Sequence, residues 1–386
     1  MFGERPLSIA PLPELWFGLG EARRLAEAVR LVGATRAFFI TDAALVRTGI
    51  PDTLAGALRE SGVEVGVFDR VVANPTTATL DDAADALRAF GPAAVVAVGG
   101  GSSMDVAKGA AIAGVNDGSG RDFDYRNDQP VAALAIIAVP TTSGTGSETN
   151  AFGVIEDLAT REKFYVGHAS ALARVVILDP LLTVGLPARA TASTGLDALA
   201  HAIESLAARH PNPFATGVAL EVAREVSTWL PVAVEDGSNL EARSHLALAS
   251  HLAGVAFASG TGLGLGHGIA HAVSAATGAV HGEVLAAVLP HLMRSNLDLR
   301  ADVYARLGLA LGANAAASSH EGADAAVSAV AALAARVGAP STLTDQGVTP
   351  DLLDAIAHAA LADEVTRNAP REPTLAEVRA VLDAAR

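Results

Sequence analysis

The 386-residue chain contains no cysteine, which excludes a disulfide framework, a thiolate metal site and a cysteine nucleophile together. Aromatic residues make up 4% of it, so small aliphatic side chains must fill the interior, and the abundance of Ala, Val and Leu suits helices and parallel strands. Basic residues are scarce as well. With 27 Lys and Arg against 42 Asp and Glu, a formal charge of -15, there is no clustered positive footprint for nucleic acid. No segment reaches membrane-spanning length without polar interruption, and the start, MFGERPLSIAPLPELWFGLG, lacks the basic opening and unbroken apolar run of a secretory signal. A cytoplasmic protein without nucleic-acid or membrane partners is the expectation.

What is present is enough apolar sequence, 51% hydrophobic residues, for two cores. AFFIT (37–41), VEVGVF (63–68), AAVVAV (93–98), LAIIAV (134–139) and RVVIL (174–178) are continuous apolar runs. Such runs mark strands covered on both faces, hence a parallel sheet flanked by helices. TLDDAADALRAF (79–90) reads as a crossover helix opening on a threonine cap. Beyond residue 185 strand signals fade, and TGLDALAHAIESLAA (194–208), NPFATGVALEVAREVSTWL (212–230) and EGADAAVSAVAALAARVG (321–338) carry helical periodicity. The expected architecture is an α/β domain with a parallel sheet over 1–185 followed by an all-α domain over 186–386.

AVVAVGGGSSMDVAKGAAI (94–112) is a buried strand, three glycines, two serines and a helix. Glycines admit close approach of phosphate oxygens, and a helix N-terminus behind them offers free N–H groups. The turn is neither a GxGxxG fingerprint nor an NTPase loop, and a ligand-free tight turn is the competing reading. A second polar loop, AVPTTSGTGSETN (138–150), also follows a strand, which favours a nucleotide crevice at the strand carboxyl ends. Asp42, ending the first of the strands, suits a ribose 2′-hydroxyl and so NAD over NADP; it equally suits a helix cap.

Asp197 and His201 lie four residues apart on one helix face, as do His267 and His271, and His281 follows fourteen residues after His267. One carboxylate and several imidazoles make a shell for a borderline divalent metal with an open position for an alcohol or carbonyl oxygen. The alternative is a set of separate, hydrogen-bonded histidines, the reading kept for His210, His245, His251, His291, His320 and His358, with His168 unassigned.

Taken together, GGGSSMDVAK, PTTSGTGSE, TGLDALAHAIE, GLGLGHGIAHAVS, VHGEVLAAVLPHLMRSN and the late NAPREPT resemble the iron-containing, or group III, alcohol dehydrogenases along nearly the whole chain. The resemblance implies metal ligation by Asp197, His201, His267 and His281, with His271 near nicotinamide and substrate as a proton relay. It implies cofactor contacts at Asp42, Asn74, Gly100, Gly101, Ser102, Asp105, Thr141, Thr142, Thr145, Lys163 and Leu182. NAD, ferrous iron with zinc as the alternative ion, an alcohol or aldehyde substrate and a homodimer or higher assembly follow from the same likeness. Ala258-Ser259-Gly260 departs from the Phe-Ser-Asn usual in the family, with Phe257 displaced by one position, and Asn150 stands where Thr is common. The first departure is expected to reshape the substrate pocket toward a bulkier or differently polar substrate. Two rivals share parts of this pattern: an NAD- and metal-dependent lyase of the dehydroquinate synthase type, which would need clustered Lys and Arg for an acidic substrate, and a nucleotide-binding sensor without turnover.

Overall fold

The structure, a computed structural model, describes residues 9, 11–160, 162–210 and 212–386. Of the opening twenty residues on which the targeting expectation bears, 1–8 and 10 lie outside that range. Two compact units divide the chain: Leu12–Thr142 with Gly146–Gly185, and Leu186–Arg386 with the tripeptide Ser143–Thr145. Among the described residues no single helix is long and apolar enough to cross a membrane.

In the first unit, β1 (Glu14–Phe17), β2 (Arg36–Asp42), β3 (Glu64–Val71), β4 (Ala94–Gly99), β5 (Ile136–Pro140) and β8 (Val175–Leu178) form one parallel sheet in the order β1-β8-β5-β4-β2-β3. Registers align Phe39 with Val96, Val96 with Ile137 and Ile137 with Val175. These four side chains lie in one core cluster. Burial on both faces explains why β2, β4, β5 and β8 are unbroken apolar runs. For β3 the expected two-sided cover fails: it is an edge strand, and Val67 is exposed. β1 on the other edge and the antiparallel hairpin β6 (Phe152–Glu156) with β7 (Lys163–Gly167) carried no signal strong enough to be expected.

The crossover helix spans Thr77–Phe90. Its cap is Thr76, whose hydroxyl accepts the Thr79 N–H at 3.3 Å, so the start lies earlier than expected and Thr79 is inside the first turn.

The second unit is helical, and its packing explains the small residues. A Cβ on Gly195 would stand 2.3 Å from Leu230 Cδ1, and one on Gly282 would stand 2.1 Å from the Ser193 carbonyl oxygen. The helix Ala188–Ala207 therefore seats directly against Pro213–Glu235 and His281–Ser295. Gly278, at φ +75°, ends the helix Leu265–Thr277, and three residues later His281 opens the next. This reversal returns His281 toward His267. Before it, Phe257–Thr261 forms a π-type turn in which Gly260 adopts φ +97°, a conformation that favours glycine.

Candidate metal centre and nucleotide cradle

In the sheet unit the chain leaves β2 for β3 on one side and runs from β4 to β5 on the other, so the strand order reverses between β2 and β4. At such a reversal the loops diverge and leave a crevice at the strand carboxyl ends. Asp42 ends β2 and Gly99 ends β4. Gly99 has φ +150°, and a Cβ there would meet Ser103 Oγ at 2.4 Å; one on Gly100 would meet Thr142 Oγ1 at 3.2 Å. The helix Gly101–Ala113 starts behind Gly100 with no side-chain cap, leaving the N–H groups of Gly101 and Ser102 in the open first turn. Backbone narrowed by three glycines before an uncapped helix end fits a dinucleotide pyrophosphate. Asp42 caps the short helix Ala43–Val46, accepting the Ala44 and Leu45 N–H groups on Oδ1 at 2.8 and 2.9 Å, while Oδ2 faces the Gly99 turn. The two readings of Asp42 are thus compatible.

The other sequence-derived cofactor positions divide. Thr141 is buried, its N–H bonded to the Gly99 carbonyl at 3.0 Å, and Thr142 flanks Gly100. Asn74, at φ +51°, accepts from Lys163 Nζ at 3.2 Å, so those two lie together. Leu182 packs partly buried against the sheet core. Thr145 sits in the Ser143–Thr145 segment, where Gly144 lies flush on Thr194.

Asp105 is turned to an internal task. Its Oδ1 accepts from Ser147 Oγ at 2.8 Å and its Oδ2 from the Val154 N–H at 3.1 Å. Beside it the buried Lys108 ammonium donates to the Ser147 and Phe152 carbonyls at 2.6 and 2.5 Å, to Ser147 Oγ at 2.7 Å and to Asn150 Oδ1 at 3.2 Å. Burial pulls the lysine down to about 8, with Asp105 and Glu148 opposing, and burial pushes Asp105 up. Together they clamp the segment 147–154 to the helix behind the glycine turn, a role that sequence reading missed for Lys108.

In the helical unit, Asp197, His267 and His281 each offer one ligand atom, and the three atoms lie within 4.8 Å of one another. His267 Nε2 lies 3.5 Å and His281 Nε2 3.8 Å from Asp197 Oδ1. His201 stands outside this trio, yet its Nε2 is also 3.5 Å from Asp197 Oδ1, and its ring stacks on His267 at 4.6 Å. Phe257 lies against His201 with ring centroids 5.0 Å apart. Asp197 Oδ1 and His267 Nε2 are buried with no hydrogen-bond partner, an arrangement that costs free energy unless a cation or proton lies between them. Burial opposes ionisation of Asp197, but His201 and the other imidazoles outweigh it and hold the carboxyl below its ordinary range. Burial carries His201 down to about 4 and also opposes charge on His267, where Glu204 and Asp197 prevail and raise it to about 10. A donor set of nitrogen and carboxylate oxygen fits a divalent ion of the iron or zinc kind.

His271 lies one turn beyond His267, its ring 5.2 Å from that of His281, and its Nδ1 is 2.7 Å from Asp363 Oδ2. Asp363 and Glu204, which holds His267 Nδ1 at 2.5 Å, are the two site carboxylates that sequence reading did not single out. For Glu204 a signal existed, since it lies three residues after His201 on the same helix face. Glu283 forms an ion pair with Arg189 in the first turn of its helix. His168 caps the turn Ala169–Ala171.

Comparison with known proteins covers both halves of the chain. Residues 13–180 match the model of iron-containing alcohol dehydrogenase, and 191–386 that of the C-terminal region of the Fe-containing alcohol dehydrogenase family. An NAD-dependent methanol dehydrogenase of Bacillus methanolicus is 32% identical over 371 residues, spanning 96% of this chain and 97% of that protein. A 4-hydroxybutyrate dehydrogenase of Cupriavidus necator is 36% identical over 394 residues, spanning 96% and 98%. The crystal structure of a 1,3-propanediol oxidoreductase superposes with a TM-score of 0.95 at 34% identity, covering 99% of this chain and all of the other. With both halves of the sequence matched and the donor cluster and glycine turn in place, the chain belongs to the iron-containing alcohol dehydrogenase family.

Proposed function

We propose that this protein is an NAD-dependent alcohol dehydrogenase interconverting a small primary alcohol and aldehyde, or a hydroxy acid and semialdehyde, at a metal held by Asp197, His201, His267 and His281. The observation that carries the reading is the buried pair Asp197 Oδ1 and His267 Nε2, both without hydrogen-bond partners and both close enough to a ligand atom of His281 to share one ion with it. When bound, the metal supplies Lewis acidity to the alcohol or carbonyl oxygen, and NAD supplies or accepts the hydride. Gly100, Gly101 and Ser102 take the pyrophosphate on their N–H groups, and Asp42 takes the ribose. Asn74, Thr141, Thr142, Thr145, Lys163 and Leu182 complete the cofactor's surroundings, and Asp105 supports them from behind through Ser147.

With Asp363 Oδ2 as the acceptor of its Nδ1–H, His271 would use Nε2 to take or return the alcohol proton. Phe257 against His201 and the π-type turn carrying Ala258 wall the metal site. Loss of the family's usual ring at 258 leaves that wall shallower, which suits a substrate larger than the shortest alcohols. The reading also takes the protein to be cytoplasmic and a homodimer or higher assembly.

An anaerobic screen tests it. NADH oxidation is followed over short aldehydes, hydroxy-aldehydes and semialdehydes with protein reconstituted separately with Fe²⁺ and Zn²⁺. Turnover with at least one metal and substrate is expected. NADH binding with no turnover across the panel would instead support a sensor, and rates that fall steadily from the shortest aldehyde would refute the enlarged pocket.

A further inference from the structure

Glu204 is buried in the helix Ala188–Ala207, one turn beyond His201, and its carboxylate organises the glycine-rich segment that leads to His267. Oε2 accepts the Gly264 N–H at 2.7 Å and His267 Nδ1 at 2.5 Å. Oε1 accepts the Gly266 N–H at 2.6 Å and the His267 N–H at 3.4 Å. A Cβ on Gly266 would stand 2.7 Å from Oε1, and one on Gly264 3.1 Å from it. Within GLGLGHG this carboxylate accounts for Gly266 and, less tightly, Gly264, whereas Gly262 and Gly268 lie against Asn368 and Thr366. Both oxygens already accept glycine N–H groups, the hydrogen bonding that favours a carboxylate over a carboxylic acid.

An ionised carboxylate can only accept hydrogen bonds, so the shared proton resides on His267 Nδ1, and Nε2 is the nitrogen left to face Asp197 and His281. The same four contacts fix the ring's position and its plane. We propose that Glu204 is a positioning residue of the metal centre: it selects the Nδ1–H tautomer of His267, aims Nε2 at the ion and makes that nitrogen a stronger donor. This inference rests on the metal-dependent reading of the site.

The test compares the wild type with Glu204→Gln. Both proteins are stripped of metal and titrated with Zn²⁺ against a chelating dye, and NADH binding is followed by fluorescence on the same samples. Glutamine keeps the size and one accepting oxygen but cannot accept on both arms. Zn²⁺ affinity is expected to fall about 10- to 100-fold while NADH affinity stays unchanged. A folded Glu204→Gln protein with wild-type Zn²⁺ affinity overturns the proposal, whereas a wild type that takes up neither Zn²⁺ nor Fe²⁺ overturns the metal reading beneath it. Should the variant fail to fold, the Zn²⁺-loaded wild type decides alone. With ¹⁵N-labelled histidine, His267 must show a slowly exchanging Nδ1–H and a metal-bound Nε2; binding through Nδ1, or a freely exchanging Nδ1–H, overturns the proposal.

Discussion

His267 Nε2 and Asp197 Oδ1 face each other across 3.5 Å inside the helical unit, and neither has a hydrogen-bond partner. Two buried groups so placed need a cation or a proton between them, and the first prediction takes the cation to be the metal. His267→Ala removes one of them. Metal affinity should fall by more than the roughly 100-fold typical for loss of a residue merely supporting a ligand, with turnover abolished and NADH affinity retained. Metal analysis after dialysis and an NADH titration on the same protein check this.

His271 is held by Asp363 rather than by the donor trio. His271→Ala should therefore keep its metal and lose turnover, by about 10²- to 10⁴-fold if the ring moves the proton. Asp363→Asn should fall between that variant and the wild type, because the ring stays but its tautomer is no longer fixed. Metal content alongside kcat separates this outcome from simple loss of the site.

At the glycine turn, Gly99→Ala places a Cβ 2.4 Å from Ser103 Oγ on backbone at φ +150°. A cost of about 1–3 kcal/mol is expected from the backbone alone, with weaker NADH binding because the turn must shift. Urea unfolding and NADH titration measure the two effects, and metal affinity should not change.

Lys108 predicts a pH dependence of stability. Burial brings it to about 8 in the fold from its ordinary 10.5. Between those values the unfolded chain binds more protons than the native one, so this residue makes stability rise with pH from about 8 to 10.5, and below about 8 its burial cost is present in full. The gain is on the order of 3 kcal/mol at most. Urea midpoints measured across that range should climb in the wild type, with the climb missing from Lys108→Met.

The sequence exposed those parts of the fold whose signals are local. β4 and β5 are covered on both faces and so appear as unbroken apolar runs, whereas β3 resembles them in sequence yet lies at an edge. β6 and β7 were hidden because their apolar stretches are short: Gly153 breaks the first, and Lys163 and Gly167 leave only three residues between them in the second. At the site, four-residue spacing made the Asp197–His201 and His267–His271 pairs legible. The supporting carboxylates were not, since Glu204 meets His267 from 63 residues away and Asp363 meets His271 from 92 away. Spacing reveals neighbours on one helix; it is silent about groups that only tertiary packing brings together.

Of the three converging donors, Asp197 and His267 are sealed, with side-chain exposures of 6% and 1%, while His281 is 30% exposed. An ion held there would meet solvent on the side of His281, the first residue of its helix. Loss or exchange of such an ion would then be expected to begin on that side rather than through the sealed pair Asp197 and His267.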